Sequence, residues 1–569
     1  MLWIALHLPL LSLESFTATL PLESAPRPTT YVVPHPACRP DGLRQPQSPF
    51  RAFVRGLSPP RGEETLGAAR RLFLEKQQQP AALIDAHRIV HANAAALALG
   101  IKPQLKRATA LALAPQLMLG QADAGRDAQA LTSVAHAALA FTPSVTQEPR
   151  GGAESAPHTV LLEVQASLRY FGGPDRLLQG LRAAIQPLGH VVQIASAPTA
   201  QGAALLARMP TVKTLHCADL PALTRTLDGA PVWLLGPGRE HWDALESMGL
   251  RTLGDLRRLP RAGLARRFGE ALLDELDRAL GQRPDPRVWI TLPEVFESRL
   301  ELFARADTTE QVLHGASILL ARLVAWAAAR QVQVRRFTLL MQHEPRHRSN
   351  VQTPPASELE IALAEPSRDA AHLMVLLRER LANLQLVAPT LDLQLHCHDV
   401  AHRAAPNTEL FPTASSEHEG ITRLIERLQA RLGPEQIQRL VPLQDHRPEH
   451  SGELQPADAQ MAGTSGLSSR APRVPGPGLT MTTPRPVWLL PTPEPLPERH
   501  ARPLLDGRPL QLLCGPERIE AGWWDAALAE RDYFIAQAAD GALVWLYRAR
   551  LPLSVAAEAQ GWFLQGRFA

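Results

Sequence analysis

The sequence predicts an α+β multidomain protein that ends in a flexible linker and a small C-terminal β-containing module. Three observations carry that prediction. Between Ala81 and Ala195 strand-like apolar runs alternate with helical ones, the pattern of an α/β layer. Between Val232 and Leu280 the pattern is helical and punctuated by glycine. From about Ala404 to Ala501 Pro, Ser, Gly and Thr accumulate, with runs such as Arg473-Val-Pro-Gly-Pro-Gly, which read as linker. At 569 residues, and at about 150 residues per domain, the chain has room for roughly four domains.

The opening Met1-Leu-Trp-Ile-Ala-Leu-His-Leu has no basic n-region and is interrupted by Pro9, so it reads as a buried strand rather than a signal peptide. Residues from about Pro21 to Pro60 are proline-rich without periodicity and read as an inserted loop. Regularity begins at Ala81 with a strand, a turn, Ile89-Val90, and a small-residue helix from Asn93 to Leu99 stopped by Gly100. Helices continue to about Phe141. Thr159-Val-Leu-Leu-Glu-Val then reads as a core strand, followed by a helix from Pro174 to Ile185 and the strand Val191-Val-Gln-Ile-Ala. From about Glu297 to Cys397 the order is strand, helix, strand, repeated once, with helices from Glu310 to Arg330 behind Asp307 and Thr308, and from Asp369 to Leu384. Near the end, Asp532-Tyr-Phe-Ile-Ala and Leu543-Val-Trp-Leu-Tyr flank Asp540-Gly541, a hairpin signal. No stretch of about 18 apolar residues reads as a membrane span.

Cys38, Cys217, Cys397 and Cys514 are too far apart for a metal knuckle and too sparse for a disulfide framework, which favours a reducing cytoplasm. The net charge is +3, and only Lys76, Lys102, Lys106 and Lys213 are lysines; arginine supplies the remaining basic residues. Arginine suits phosphate, but a GC-rich genome encodes it as readily. His396, Cys397, His398, Asp399 and His402 lack a second ligand pair at zinc spacing, and no Gly-x-x-x-x-Gly-Lys-Ser/Thr loop is present, so neither a metal nor ATP is expected.

Gly236-Pro-Gly-Arg239, between Leu235 and a helix beginning near His241, has the form of a helix-hairpin-helix. A tight glycine turn at a helix start presents backbone N–H groups to a DNA phosphate without reading sequence. Gly236, Gly238, Arg239, Arg257, Arg258, Arg266 and Arg267 are therefore candidate DNA contacts, with Arg335 and Arg336 in the duplicated strand-helix-strand region. A solvated arginine face is the structural alternative.

This order of parts resembles the palm, fingers, thumb and little finger of the Y-family DNA polymerases over roughly residues 1 to 400. Ile89-Val-His-Ala-Asn-Ala-Ala-Ala-Leu-Ala-Leu-Gly-Ile looks like the family fingers motif, one residue shorter, and Gly249-Leu-Arg-Thr-Leu-Gly-Asp-Leu256 like part of its thumb. Polymerisation needs two divalent cations held by carboxylate oxygens. The resemblance places the family's first-strand aspartates at Ala5 and His7, and its later Asp-Glu pair near His158 and Thr159. Neither Met1 to Leu13 nor Ser155 to Leu162 contains a carboxylate; Glu154 and Glu163 flank the latter. The triphosphate-binding Tyr, Arg and Lys fall at Ala94, Leu97 and near Ala204. An inactive relative that binds DNA is implied, with no cofactor; an active error-prone Y-family polymerase and a protein-only scaffold are the alternatives.

The first strand, Ser167-Leu-Arg-Tyr-Phe-Gly-Gly173 and the aromatic C-terminus resemble the inactive branch of the family. That branch implies as partners primer-template DNA, the sliding clamp, the RecA-like ImuA protein and an error-prone DnaE-type polymerase. Asn407-Thr-Glu-Leu-Phe411 resembles a clamp peptide, with Asn407 in place of Gln and Leu410 and Phe411 as apolar anchors. The expected divisions are a first palm strand (1–20), fingers with the proline-rich insertion (21–117), palm (118–227), thumb (228–292), little finger (293–402), linker (403–500) and a partner-binding module (501–569). Trp523, Trp524, Tyr533, Phe534, Trp545, Tyr547, Trp562 and Phe563 crowd this last part, more aromatics than so small a core is expected to bury.

Overall fold

A computed structural model of the chain describes residues 1–20, 79–148, 158–209, 215–344, 354–402, 414–457, 484–525, 527–550 and 561–568. Two compact units are present, Met1–Phe411 and Pro412–Ala569.

The first unit opens with β1 (Trp3–His7) and α1 (Leu11–Thr17). A small sheet follows, built from β2 (Ala81–Asp85), β3 (Arg88–Ala92) and β4 (Met118–Gln121), with α2 (Ala94–Ala98) and α3 (Arg107–Leu113) between the last two. Asn93 caps α2 by accepting from the Ala96 N–H, and Gly100 ends the segment at φ +85°, as the sequence predicts. Next come α4 (Ala124–Leu139), β5 (Val145–Gln147), β6 (Thr159–Glu163), α5 (Leu168–Phe171), α6 (Pro174–Ile185), β7 (Gln193–Ala197), α7 (Ala200–Arg208) and β8 (Leu215–His216).

β1 lies in the middle of a sheet ordered β5-β6-β1-β7-β8, antiparallel to both neighbours. Its apolar run is continuous because both faces are covered. Ile4 and Leu6 pack with residues of α4 and α6, while Trp3 and Ala5 pack with α7. The core under α7 continues without a break into a helical region: α8 (Leu220–Asp228), a 3₁₀ turn at 232–234, then α9 (Gly236–Glu240), α10 (Trp242–Ser247), α11 (Leu253–Arg258), α12 (Arg261–Phe268) and α13 (Glu270–Ala279).

The duplicated strand-helix-strand follows as β9 (Phe296–Ala306), α14 (Thr309–Arg330) and β10 (Gln333–His343), then β11 (Ala356–Ser367), α15 (Ala370–Ala382) and β12 (Thr390–Ala401), in sheet order β11-β10-β12-β9. Thr308 and Gln311 form a capping box that starts α14. The absence of a span-like stretch expected from sequence does not hold for α14. By length and composition it is apolar enough to cross a membrane, and here Val312, Ala316, Leu319, Leu320, Leu323 and Trp326 are buried in protein.

The second unit differs from the linker expected over 403–500. Residues 414–457 form α16 (Ala414–Leu432) and a hairpin of β13 (Gln438–Pro442) and β14 (Gly452–Pro456). β15 (Trp488–Leu496) joins a sheet ordered β15-β22-β21-β20-β19, whose other strands are β19 (Gln511–Ala521), β20 (Ala529–Gln537), β21 (Leu543–Ala549) and β22 (Gly561–Arg567); the short strands β16 (Glu498–Arg499), β17 (Arg502–Leu505) and β18 (Arg508–Pro509) lie between β15 and β19 in the chain. Two buried arginines tie these parts together: Arg447 binds Asp445 and Asp525, and Arg531 donates to Glu449, which also accepts from Gln565. Tyr533, Trp545, Tyr547 and Trp562 are buried, whereas Trp523 and Trp524 after β19 stay 73% and 54% exposed.

Candidate nucleic-acid interface and the missing metal centre

The positions at which carboxylates are expected are filled by side chains that satisfy one another. Ala5 is paired across the sheet with Leu161 and Ala195 and has no exposed surface; Ala203, Ala204 and Ala207 of α7 share its core. On the same face, His7 Nδ1 is 3.2 Å from Thr159 Oγ1. Burial, then the positive fields of Arg208, His158 and Arg239, bring the His7 pKa down to about 4, so this imidazole is neutral at pH 7. His158 is 3.9 Å from Asp127, which accepts from Ser12 and Ser15. Arg208 donates to Glu148 at 2.8 Å and to the carbonyls of Ala204 and Leu234. Glu163 accepts from the backbone N–H of Gln165, while Glu154 lies outside the described residues. A methyl group, a neutral imidazole, a hydroxyl, a carboxylate bound to arginine and another held by two serines do not make the oxygen cage that two hard cations require.

The nucleotide positions have equally little to offer a triphosphate. Ala94 and Leu97 lie exposed on α2, and Ala204 is sealed within α7.

In the helical region the glycine turn is arranged differently from the sequence expectation. The Gly236 N–H donates to Glu275 Oε2 at 3.0 Å, and Glu275 Oε1 accepts from Gln201 of α7 at 2.8 Å. Burial raises the Glu275 pKa, against the opposing field of Arg208 and these donated bonds. Gly238 is a packing glycine: a Cβ there would fall 2.2 Å from the Val232 carbonyl oxygen. The turn thus joins helices, and its first donor is already engaged.

Between Asp228 and Arg287 ten arginines are matched by ten aspartates and glutamates. Arg257 binds Asp228, Arg258 binds Asp255 at 3.2 Å, and Arg261 binds Asp277 at 2.5 Å. Arg266 and Arg267 are exposed on α12 and make no ion pair among the described residues; Arg267 lies over the Phe268 ring. Arg239 is exposed at the end of α9.

Arg335 and Arg336 stand at a register shift in β10. Both approach Asp399, at 3.9 and 3.8 Å, and Arg336 also binds Glu360 at 3.1 Å. Cross-strand register places Glu297, Arg299 and Glu301 of β9, Gln394 and His396 of β12, Thr338 and Leu340 of β10, and Glu358 and Glu360 of β11 on one open face. Carboxylates outnumber arginines there, and Arg299 is bound to Asp392 at 2.5 Å. Cys397 is on the opposite, buried face with its thiol pushed up to about 12 chiefly by burial. Sequence reasoning missed Glu275, Asp228 and Asp399, the carboxylates that claim these candidate donors, because no local pattern links them to their partners. Asn407, Leu410 and Phe411 lie outside the described residues.

No protein-family model matches the chain. Protein ImuB of Caulobacter vibrioides (strain NA1000 / CB15N) is 28% identical over 499 residues, covering 83% of this chain and all of that protein; ImuB of strain ATCC 19089 matches equally. Among solved structures, a Dbh ternary complex and DinB from Sulfolobus solfataricus each share 14% identity over 70% of this chain and nearly all of theirs, with TM-scores of 0.34 and 0.33. The sequence alignment runs along most of the chain, which is thus similar to Protein ImuB.

Proposed function

We propose that the chain is a non-catalytic Y-family relative that holds primer-template DNA and serves as an adaptor in error-prone translesion synthesis and damage-induced mutagenesis in the cytoplasm. The occupation of the metal positions carries this reading: Ala5 is sealed beneath α7, and His7 is bonded to Thr159. Through the peptide at Asn407, Leu410 and Phe411 the chain engages the sliding clamp. Its C-terminal unit meets an ImuA-type protein and a DnaE-type polymerase that makes the bond, so tethering raises the local concentration of that polymerase without new chemistry.

Primer extension with the purified chain and Mg²⁺ or Mn²⁺ tests the proposal. No incorporation is expected; incorporation abolished by Glu163→Ala would overturn it. Primer-template binding should weaken steeply with salt as counterions return to the phosphates. Absence of binding at low salt would leave a protein-only scaffold.

A further inference from the structure

A groove opens on the surface of the helical region. Trp233, Arg239, Glu240, Trp242 and Asp243 enclose about 300 Å³, the small end of the range for ligand clefts. Its construction follows from the local chain. Val232 and Leu234 of the 3₁₀ turn point into the core, which leaves Trp233 between them half-buried at the surface. His241 joins α9 to α10 with its ring 5.5 Å from that of Phe268. Arg239 and Glu240 therefore end one helix as Trp242 and Asp243 begin the next. Trp233 and Trp242 both rest against the core, so the aromatic walls are held from behind.

We propose that this groove receives a single unstacked nucleotide whose base carries an exocyclic amino group. Tryptophan supplies a stacking surface that any base can use. Glu240 and Asp243 are acceptors only, so they favour the amino edges of cytosine, adenine and guanine, and thymine has no such group. Arg239 supplies the cation for the attached phosphate. A lysine or arginine side chain from a protein would also meet two aromatic rings and two carboxylates, but it would meet the Arg239 charge as well. The groove includes Arg239, which the sequence offers as a DNA-backbone contact, so a strand held there delivers its displaced base without a second docking surface. The inference rests on the DNA-binding reading and adds a base preference to it.

The test is fluorescence anisotropy of the full chain with labelled primer-template carrying a short homopolymer overhang of dC, dA or dT, beside a blunt duplex. Overhangs of dC and dA should bind about 10-fold more tightly than dT. Glu240→Ala with Asp243→Ala should abolish that preference without weakening dT binding. Trp242→Leu should cost about 10-fold on dC and dA overhangs and leave blunt-duplex binding in place, which also reports that the variant is folded. Equal affinity for the three overhangs, or overhang binding indifferent to Trp242→Leu, would overturn the nucleotide site while leaving the DNA-holding reading intact. A lysine-rich peptide whose binding depends on Trp242 and is not displaced by oligonucleotide would overturn it in favour of a protein side chain. Loss of all DNA binding at low salt would sink both.

Discussion

Placing a carboxylate at Ala5 in β1 is the sharpest test of whether this position is open to a metal ligand or closed. In Ala5→Asp the new carboxyl group enters a position with no exposed surface, between Leu161 and Ala195 and in one core with Ala203, Ala204 and Ala207. A fully buried carboxyl group has its pKa raised by up to about 3–5 units from about 3.9, and each pH unit above that reference is worth about 1.36 kcal/mol, so avoiding the charge costs about 4 kcal/mol at pH 7. Overpacking adds about 1–3 kcal/mol. The sum, about 5–7 kcal/mol at pH 7, matches the low end of an ordinary domain's stability, about 5–15 kcal/mol. Its sign with pH is fixed. Below about pH 4 the folded and unfolded carboxyls are both protonated and only the packing cost remains; above that pH the unfolded chain ionises first, and stability falls by about 1.4 kcal/mol per pH unit until the folded pKa is reached. Urea melts between pH 4 and 8, with Ala5→Asn separating packing from charge, read this directly. If Ala5→Asp matches the parent at pH 7, or if Mg²⁺ stabilises it and primer extension appears, the position is open and the sealing argument is wrong.

Glu148→Ala strands the Arg208 guanidinium, whose side chain is only 8% exposed; a loss of about 3–5 kcal/mol in urea melts is expected, and Glu148→Leu with Arg208→Met should recover most of it. Gly202→Ala would set a Cβ 2.4 Å from Thr199 Oγ1 and 2.7 Å from Leu223 Cδ2, so about 1–3 kcal/mol of overpacking should lower the melting temperature despite the better helix propensity of alanine. Arg266→Ala with Arg267→Ala should reduce the slope of log K against log salt by about 2 if both neutralise phosphates, whereas Arg335→Ala with Arg336→Ala should change it little, since those two are already bound to carboxylates. Leu410→Ala with Phe411→Ala should abolish clamp pull-down, and unchanged capture would move that contact elsewhere.

What was legible in the sequence is what local periodicity and capping encode. The buried strand at Trp3–His7, the helix at Pro174–Ile185 and the repeated strand-helix-strand could each be read from the order of apolar residues, with Thr308 and Asn93 marking helix starts. α16 was obscured because Pro, Ser and Gly on both sides suggested linker, although Ile421, Leu424, Ile425 and Leu428 carry helical spacing. Long-range charge pairing was not legible at all. Gly236 meets Glu275 across 39 residues and Arg257 meets Asp228 across 29, so the arginines that composition offered to DNA were counted before their internal partners were visible.

The sealing of Ala5 and the placement of the thumb-like helices are one structural fact, because both depend on α7. One side of that helix lays alanines against β1 and β7. From its first turn Thr199 donates to the Ala279 carbonyl, and Gln201 donates to Glu275, which in turn holds Gly236. A helix packed so closely to the strand leaves no space for metal-bound oxygen, yet its N-terminal contacts orient the region that carries Arg239, Arg266 and Arg267. On the DNA-holding proposal, closure of the strand position therefore leaves these arginines in place. With Ala5 rather than a carboxylate in β1, close approach of α7 gains apolar burial at about 25 cal/mol per Å². On that account the layer of β1 and α7 is retained because helices α8 to α13 are built on it.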